Sequence, residues 1–207
     1  MPAEAKLAGA FHKLAAARQS IRRFTDEPVP KELVERILRT ACQAPSAHNR
    51  QPWRFVVLPK GQSRDRLAQS MAHKFRQDLM ADGLPEERIE ELVTRGYERL
   101  TEPPMAILLC RTMEDMDPYP DERRQAAERT MAIQSVALAG GQILLAAHAE
   151  GLGACWVCAP LFVPEIVRSE LQLPDGWQAE GVIIMGWPAE TGHDRGRKPL
   201  EEVTLWR

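Results

Sequence analysis

The sequence predicts an α+β domain. Helical and strand patterns alternate irregularly along it, one central helical run is far longer than any other, and neither GxGxxG nor GxxxxGK(S/T) occurs. The missing glycine motifs disfavour a Rossmann dinucleotide site and a P-loop.

Lys6 to Ala17 is Ala-rich and helical by propensity. Pro28 and Pro30 interrupt the chain before a helix from Lys31 to Ala44. Its Leu33, Val34, Ile37, Leu38, Ala41 and Cys42 fall at helical spacing, and Pro45 stops it. Arg54 to Leu58 has the pattern of a short strand, and Ser63 to Met80 that of a helix with a charged outer face. Gly83 and Pro85 turn the chain into a second, very polar helix that ends near Leu100, before Pro103-Pro104. Met105 to Cys110 is a continuous apolar run of strand length, expected at the centre of the sheet. Ala126 to Glu150 is the long helix, with Gly151 at its C-terminal end. Gln134, Ser135, Gly140-Gly141, Gln142 and His148 make it too polar for a membrane span, so it is expected in a core or subunit interface. Cys155 to Ala159 is a strand, Pro164 to Leu171 a short helix, Gly181 to Met185 a strand, and Val203 to Trp206 a β-like tail.

A chain of 207 residues, 44% hydrophobic and 27% charged, suits a single domain over residues 1–207. Its formal net charge of −2 leaves no global field to recruit nucleic acid or anionic lipid. The four cysteines, Cys42, Cys110, Cys155 and Cys158, lie in apolar stretches expected to be buried. No secretory signal precedes them, so a reducing cytoplasm is the expected compartment. Cys155 and Cys158 have CxxC spacing without a second pair or a ligand-spaced histidine. They are expected to be small residues of a buried strand, with no metal.

Three segments carry chemistry. In Arg18-Gln19-Ser20-Ile21-Arg22-Arg23-Phe24, Arg18, Ser20 and Arg22 alternate and would face one side of an extended stretch. The guanidinium fork suits a phosphate, although alone the segment reads more simply as a solvated basic loop. In Pro45-Ser46-Ala47-His48-Asn49-Arg50-Gln51-Pro52-Trp53, two prolines stiffen a polar loop, which is also how a helix-terminating turn looks. Arg195-Gly196-Arg197-Lys198 clusters cations near the C-terminus and taken alone is a solvated tail.

Together, and in this order around the long helix, these segments resemble the FMN-dependent nitroreductase superfamily over nearly the whole chain. The likeness rests on Arg18-x-Ser20-x-Arg22-x-Phe24, Pro45-Ser46-x-x-Asn49-x-Gln51-Pro52-Trp53, Gly151-Leu-Gly153-x-x-Trp156 and Arg195-x-Arg197-x-Pro199. The resemblance implies a nitroreductase-like fold: a mixed or antiparallel sheet flanked by helices, in an interlocked homodimer with FMN at the interface. It assigns Arg18, Arg195 and Arg197 to the FMN phosphate, Ser20 with neighbouring Gln19 to the phosphate or ribityl chain, and Arg22 to the flavin N1 and O2. Pro45, Ser46, Ala47 and Asn49 match the loop that reaches the flavin from the other subunit. Trp156, Val157, Cys158 and Ala159 match the strand end near flavin N5. Where relatives often have Glu-Gly this chain has Cys158-Ala159, so only a backbone contact carries over.

A narrower resemblance is to the C-terminal flavin domain of the bifunctional F-420 gamma-glutamyl ligase. It rests on Lys74-Phe-Arg-Gln-Asp78, Asp82-Gly-Leu-Pro85, Arg95-Gly96, Tyr119-Pro-Asp121, Ala127-Glu-Arg-Thr-Met131 and Glu170-Leu-Gln-Leu-Pro174. It implies a free-standing dehydro-F-420-0 reductase in coenzyme F-420 biosynthesis, with hydride passing from reduced FMN to the conjugated C=C of a deazaflavin side chain. NADH, NADPH or reduced F-420 would be the electron donor. His48, Lys74 and Arg76 are candidates to hold the anionic substrate, although Lys74 and Arg76 equally fit a solvated helix face. The alternatives are a general NAD(P)H-dependent nitroreductase or quinone reductase, and a flavin-binding protein without turnover.

Overall fold

The computed structural model describes residues 2–207. The order among them is α1 (Pro2–Ala17), α2 (Lys31–Ala41), β1 (Trp53–Pro59), α3 (Gln62–Ala81), α4 (Glu86–Thr101), β2 (Met105–Arg111), α5 (Glu122–Ala149), β3 (Gly153–Val157), α6 (Pro164–Leu171), β4 (Gln178–Gly186) and α7 (Leu200–Val203). Short 3-10 turns cover Ala47–Asn49 and Ala159–Phe162.

The four strands form one sheet in the order β1-β2-β4-β3, and every pairing is antiparallel. The sheet is therefore not mixed; its single parallel contact is an isolated bridge between Ser20 and Ala154. Both faces of the sheet are covered, which explains the unbroken apolar run of β2. Met105, Ile107 and Leu109 point into the core shared with α2 and α5, while Ala106, Leu108 and Cys110 point into the core beneath α3 and α6.

α5 begins at Asp121, whose side chain accepts from Arg124 N at 3.0 Å, and Gly151 follows its end at φ +82°. Despite its polar residues, α5 is as long and apolar as a span, with mean hydropathy 1.5 over its best window. The fold uses it as a core helix: Ala132, Val136, Ala139, Ile143 and Ala147 are buried. Its other side leaves Ile133 and Leu138 exposed, the latter by 50%.

Three sequence expectations need correction. The strand expected over Cys155–Ala159 ends at Val157, because Cys158 at φ −90°, ψ 0° opens a 3-10 turn. The β-like tail begins instead as α7, its first turn carrying Glu201 and Glu202 behind Pro199. Beyond Val203 the backbone is extended at Thr204, yet it pairs with no strand of this chain, and Trp206 is 85% exposed. Cys42 and Cys158 are exposed, since each sits just past the last buried turn or strand of its element, whereas Cys110 and Cys155 are buried.

The α3–α4 hairpin has a small core of its own, Leu79, Ile89 and Val93. One buried side chain fastens its root. Arg64 donates to Leu58 O at 3.2 Å and Thr101 O at 2.9 Å, and burial lowers its pKa.

Burial, with a smaller effect from nearby Glu180, pushes the Cys110 thiol up to about 12. The unfolded thiol ionises near 8.5, so between that pH and the folded value the unfolded chain binds fewer protons and stability falls as pH rises. Cys110→Ala is expected to flatten this alkaline limb in urea titrations run from pH 8 to 11. A thiol reagent is expected to modify Cys42 and Cys158 in the folded protein and all four cysteines only after unfolding.

Candidate functional site

The strap after α1 lies beside the edge of the sheet. Ile21 N donates to Ala154 O at 3.1 Å and Thr25 N to Trp187 O at 2.9 Å, while Arg23 O accepts from Ala189 N at 3.0 Å. Ile21 is buried, and Ser20 and Arg22 beside it are exposed, so the alternation read from the sequence holds locally. The segment after β4 returns over the same place. Gln19 packs so closely on Gly192 that a Cβ there would lie 2.1 Å from its Oε1. Gly196, at φ +67°, then turns the chain, its N–H donating to Asp194 Oδ1 at 2.8 Å.

Strap and return segment frame a cleft of about 1160 Å³. Arg18, Gln19, Ser20, Arg22, Arg195 and Arg197 all line it. Arg18 and Arg22 of the strap thus meet Arg195 and Arg197 of the return segment, guanidiniums suited to a phosphate monoester of nearly two negative charges, in a cleft whose lining also carries Glu90, Glu91, Glu98, Glu102, Glu190 and Asp194.

The other predicted residues lie elsewhere. The loop from Pro45 to Asn49 does not line the cleft, but it is built with care. His48, Asn49 and Gln51 all have positive φ, near +50°. Three left-handed non-glycine residues so close together persist only where surrounding bonds over-determine them, which is a mark of functional loops. Here Ala47 N donates to Ser135 Oγ on α5 at 3.3 Å, and Gln51 N donates to Ser46 Oγ at 3.0 Å. His48 is exposed.

Trp156 sends its indole into the core, between Gly140 of α5 and Gly181 of β4. A Cβ on those glycines would lie 2.0 Å and 2.6 Å from the ring. Val157 is half-buried, and Cys158 and Ala159 are exposed at the strand end, leaving backbone there open to a ligand.

Lys74 and Arg76 do not reach the cleft. Lys74 pairs with Asp78 and lines a separate groove between α3 and α6. Arg76 points at α4, holding Glu86 at 3.0 Å and Glu90 at 2.6 Å. Its hydrogen bond to Glu90 keeps that carboxyl below its ordinary range. As an anion clamp it is already occupied.

Two features of the cleft escaped the sequence reading. One wall is α4, which presents Arg95 and Arg99 one turn apart among Glu90, Glu91, Glu98 and Glu102. Arg99 has no ion pair among the described residues, and Arg95 reaches Glu91 only at 4.0 Å. From sequence these looked like the solvated face of a polar helix. The second feature is Glu190, whose Oε1 accepts from Arg22 N at 2.8 Å and Arg23 N at 3.2 Å. Nothing local in sequence couples it to the strap.

Residues 15–187 match the model of the Nitroreductase family. A protein of Thermus thermophilus named NADH dehydrogenase is 31% identical, over 93% of this chain and 94% of its own length. The 5,6-dimethylbenzimidazole synthase of Rhodospirillum rubrum is 33% identical, over 84% of this chain and 79% of its own. A crystal structure from Desulfovibrio desulfuricans, described as a nitroreductase in complex with FMN, is 28% identical. It superposes with a TM-score of 0.71 over 94% of this chain and 95% of that one.

Proposed function

We infer the function of this chain from its family: it belongs to the nitroreductase family, whose members are FMN-dependent oxidoreductases and typically homodimers. The residues fit that cofactor. Arg18, Arg195 and Arg197 would hold the phosphate, Ser20 and Gln19 the phosphate or ribityl chain, and Arg22 would place a positive charge beside N1 and O2. Bound FMN supplies hydride transfer at its N5. The chain's own part is to bind the phosphate, orient the ring against the backbone of Trp156 to Ala159, and stabilise negative charge with Arg22.

The partner we propose is a second copy. The strained Pro45 to Asn49 loop lies outside this chain's own cleft, and a dimer would let it reach the flavin of the other subunit. The half-exposed apolar side of α5 and the exposed Leu205 and Trp206 support such an interface. We propose a reducing, cytoplasmic compartment, which suits the free and exposed Cys42 and Cys158.

The acceptor we propose is dehydro-F-420-0. The observation that supports this is on the α4 wall: among its glutamates, Arg99 makes no ion pair among the described residues and Arg95 only a 4.0 Å one. An acceptor bearing a phosphate and a carboxylate would use them, in the role first given to Lys74 and Arg76. Its conjugated C=C would take a hydride at one carbon and a proton from water at the other, which accounts for the two hydrogens gained. The second reading, a general NAD(P)H-dependent nitro- or quinone reductase, is favoured by the Thermus thermophilus relative named NADH dehydrogenase.

Anaerobic incubation with FMN, dehydro-F-420-0 and NADH, NADPH or reduced F-420 in turn, read by mass spectrometry, decides between them. A gain of two hydrogens that needs both FMN and Arg22 supports the biosynthetic reductase. No gain, with brisk reduction of menadione or nitroaromatics, supports the general enzyme. The double variant Arg95→Ala/Arg99→Ala is expected to raise KM about tenfold or more for the anionic acceptor and to leave KM for uncharged menadione unchanged.

A further inference from the structure

We propose that Glu190 is a positioning residue that fixes Arg22 and tempers the positive charge the flavin meets; this rests on the FMN reading above. The pairing between strap and return segment is a short ladder: Thr25 N to Trp187 O, the bridge between Phe24 and Pro188, then Ala189 N to Arg23 O. Past Ala189 the backbone pairing stops, and the Glu190 side chain takes over. Its one carboxylate oxygen accepts from the consecutive N–H groups of Arg22 and Arg23, at 2.8 and 3.2 Å. Two adjacent N–H groups are themselves an anion trap, and a resident carboxylate fills it. Arg22 is thereby held at the root of its side chain, so its guanidinium enters the cleft from a fixed backbone.

The same carboxylate lines the cleft with Arg18, Arg22, Arg195 and Arg197, and of the six carboxylates there it is the one bonded to the strap among the described residues. A fixed negative charge there opposes the build-up of negative charge on the reduced ring. Glu190 therefore holds the flavin at a lower potential than the arginines alone would set, and makes it a stronger reductant.

Position and charge separate in two variants. Glu190→Gln keeps an acceptor oxygen of the same reach and removes the charge; Glu190→Ala removes both. Glu190→Gln is expected to bind FMN about threefold to tenfold more tightly and to shift the flavin midpoint potential positive. Glu190→Ala is expected to bind FMN about tenfold more weakly, because two backbone donors lose their acceptor and Arg22 its anchor. Fluorescence titration and a dye-coupled redox titration read both quantities, and thermal melts establish that each variant is folded. Affinity shifts of opposite sign, with a positive potential shift in Glu190→Gln, support the proposal. Shifts of the same sign, or none, in a wild type that does bind FMN overturn this proposal alone. A wild type that takes up no FMN overturns the family reading of the cleft and this proposal with it.

Discussion

Replacing Arg18 with alanine is expected to weaken FMN binding by about 10- to 100-fold. Arg18 sits half-buried at the end of α1, where the strap begins, and it makes no ion pair among the described residues. Its charge is therefore free for a ligand. A charge-assisted hydrogen bond is worth about 1.5–3 kcal/mol, and each 1.4 kcal/mol is about tenfold in affinity. Arg18→Lys should recover only part of the loss, because a single ammonium cannot engage two phosphate oxygens at once. Raising the salt concentration should weaken the wild type more than the alanine variant, since the contact removed is ionic. Quenching of flavin fluorescence on titration measures all three proteins. Unchanged affinity in Arg18→Ala would remove the phosphate assignment from the strap.

Gly140→Ala is expected to destabilise the fold by about 3 kcal/mol, the upper range for an overpacked core. The added methyl would lie 2.0 Å from the Trp156 ring and 2.9 Å from Leu109. The indole has nowhere to retreat, because Gly181 already abuts its far side and would place a Cβ only 2.6 Å from the ring nitrogen. At about 2–4 °C per kcal/mol for a chain of this size, the melting temperature should fall by about 6–12 °C. Gly141→Ala is the matched control. Nothing lies within 4 Å of a Cβ there, so the helix should gain up to about 1 kcal/mol from the better helix former. If both variants melt alike, Trp156 is not wedged between the two glycines. A ring so held also fixes the β3 end, so Gly140→Ala should loosen FMN as well.

Much of this was legible in the sequence for reasons that are local. The apolar run of β2, the helical spacing of α2 and the length of α5 each reflect a burial pattern written into consecutive residues. The alternation of Arg18, Ser20 and Arg22 around Ile21 likewise survived, because an extended strap against a sheet edge imposes a period of two. What stayed hidden depends on residues far apart in the chain. Glu190 meets Arg22 across 168 positions. Arg95 and Arg99 look like any exposed pair on a polar helix until α4 is laid along the cleft. Arg76 looked available until α4 brought Glu86 and Glu90 against it. The left-handed backbone at His48 and Gln51 had no glycine to announce it; bonds accepted by Ser46 and by the distant Ser135 help to hold it. The tail from Val203 to Trp206 was taken for strand because its residues favour one, yet no edge of this chain's sheet receives it.

The clasp made by Arg64 has a consequence for how such an enzyme diversifies. Residues 62–101 leave the sheet and return to it at two points joined by one side chain, and the excursion between them has its own apolar centre. Leu67, Ala68 and Leu100 are tied to the sheet's core, but beyond them length, charge and tilt in the excursion can drift without disturbing β1 or β2. Because α4 is also a wall of the cleft, that drift falls on the surface proposed to meet the acceptor and spares the strap and return segment proposed to hold the cofactor. Lineages descended from one such scaffold can exchange substrates by rewriting a single hairpin, while the cations on the opposite wall stay as they were.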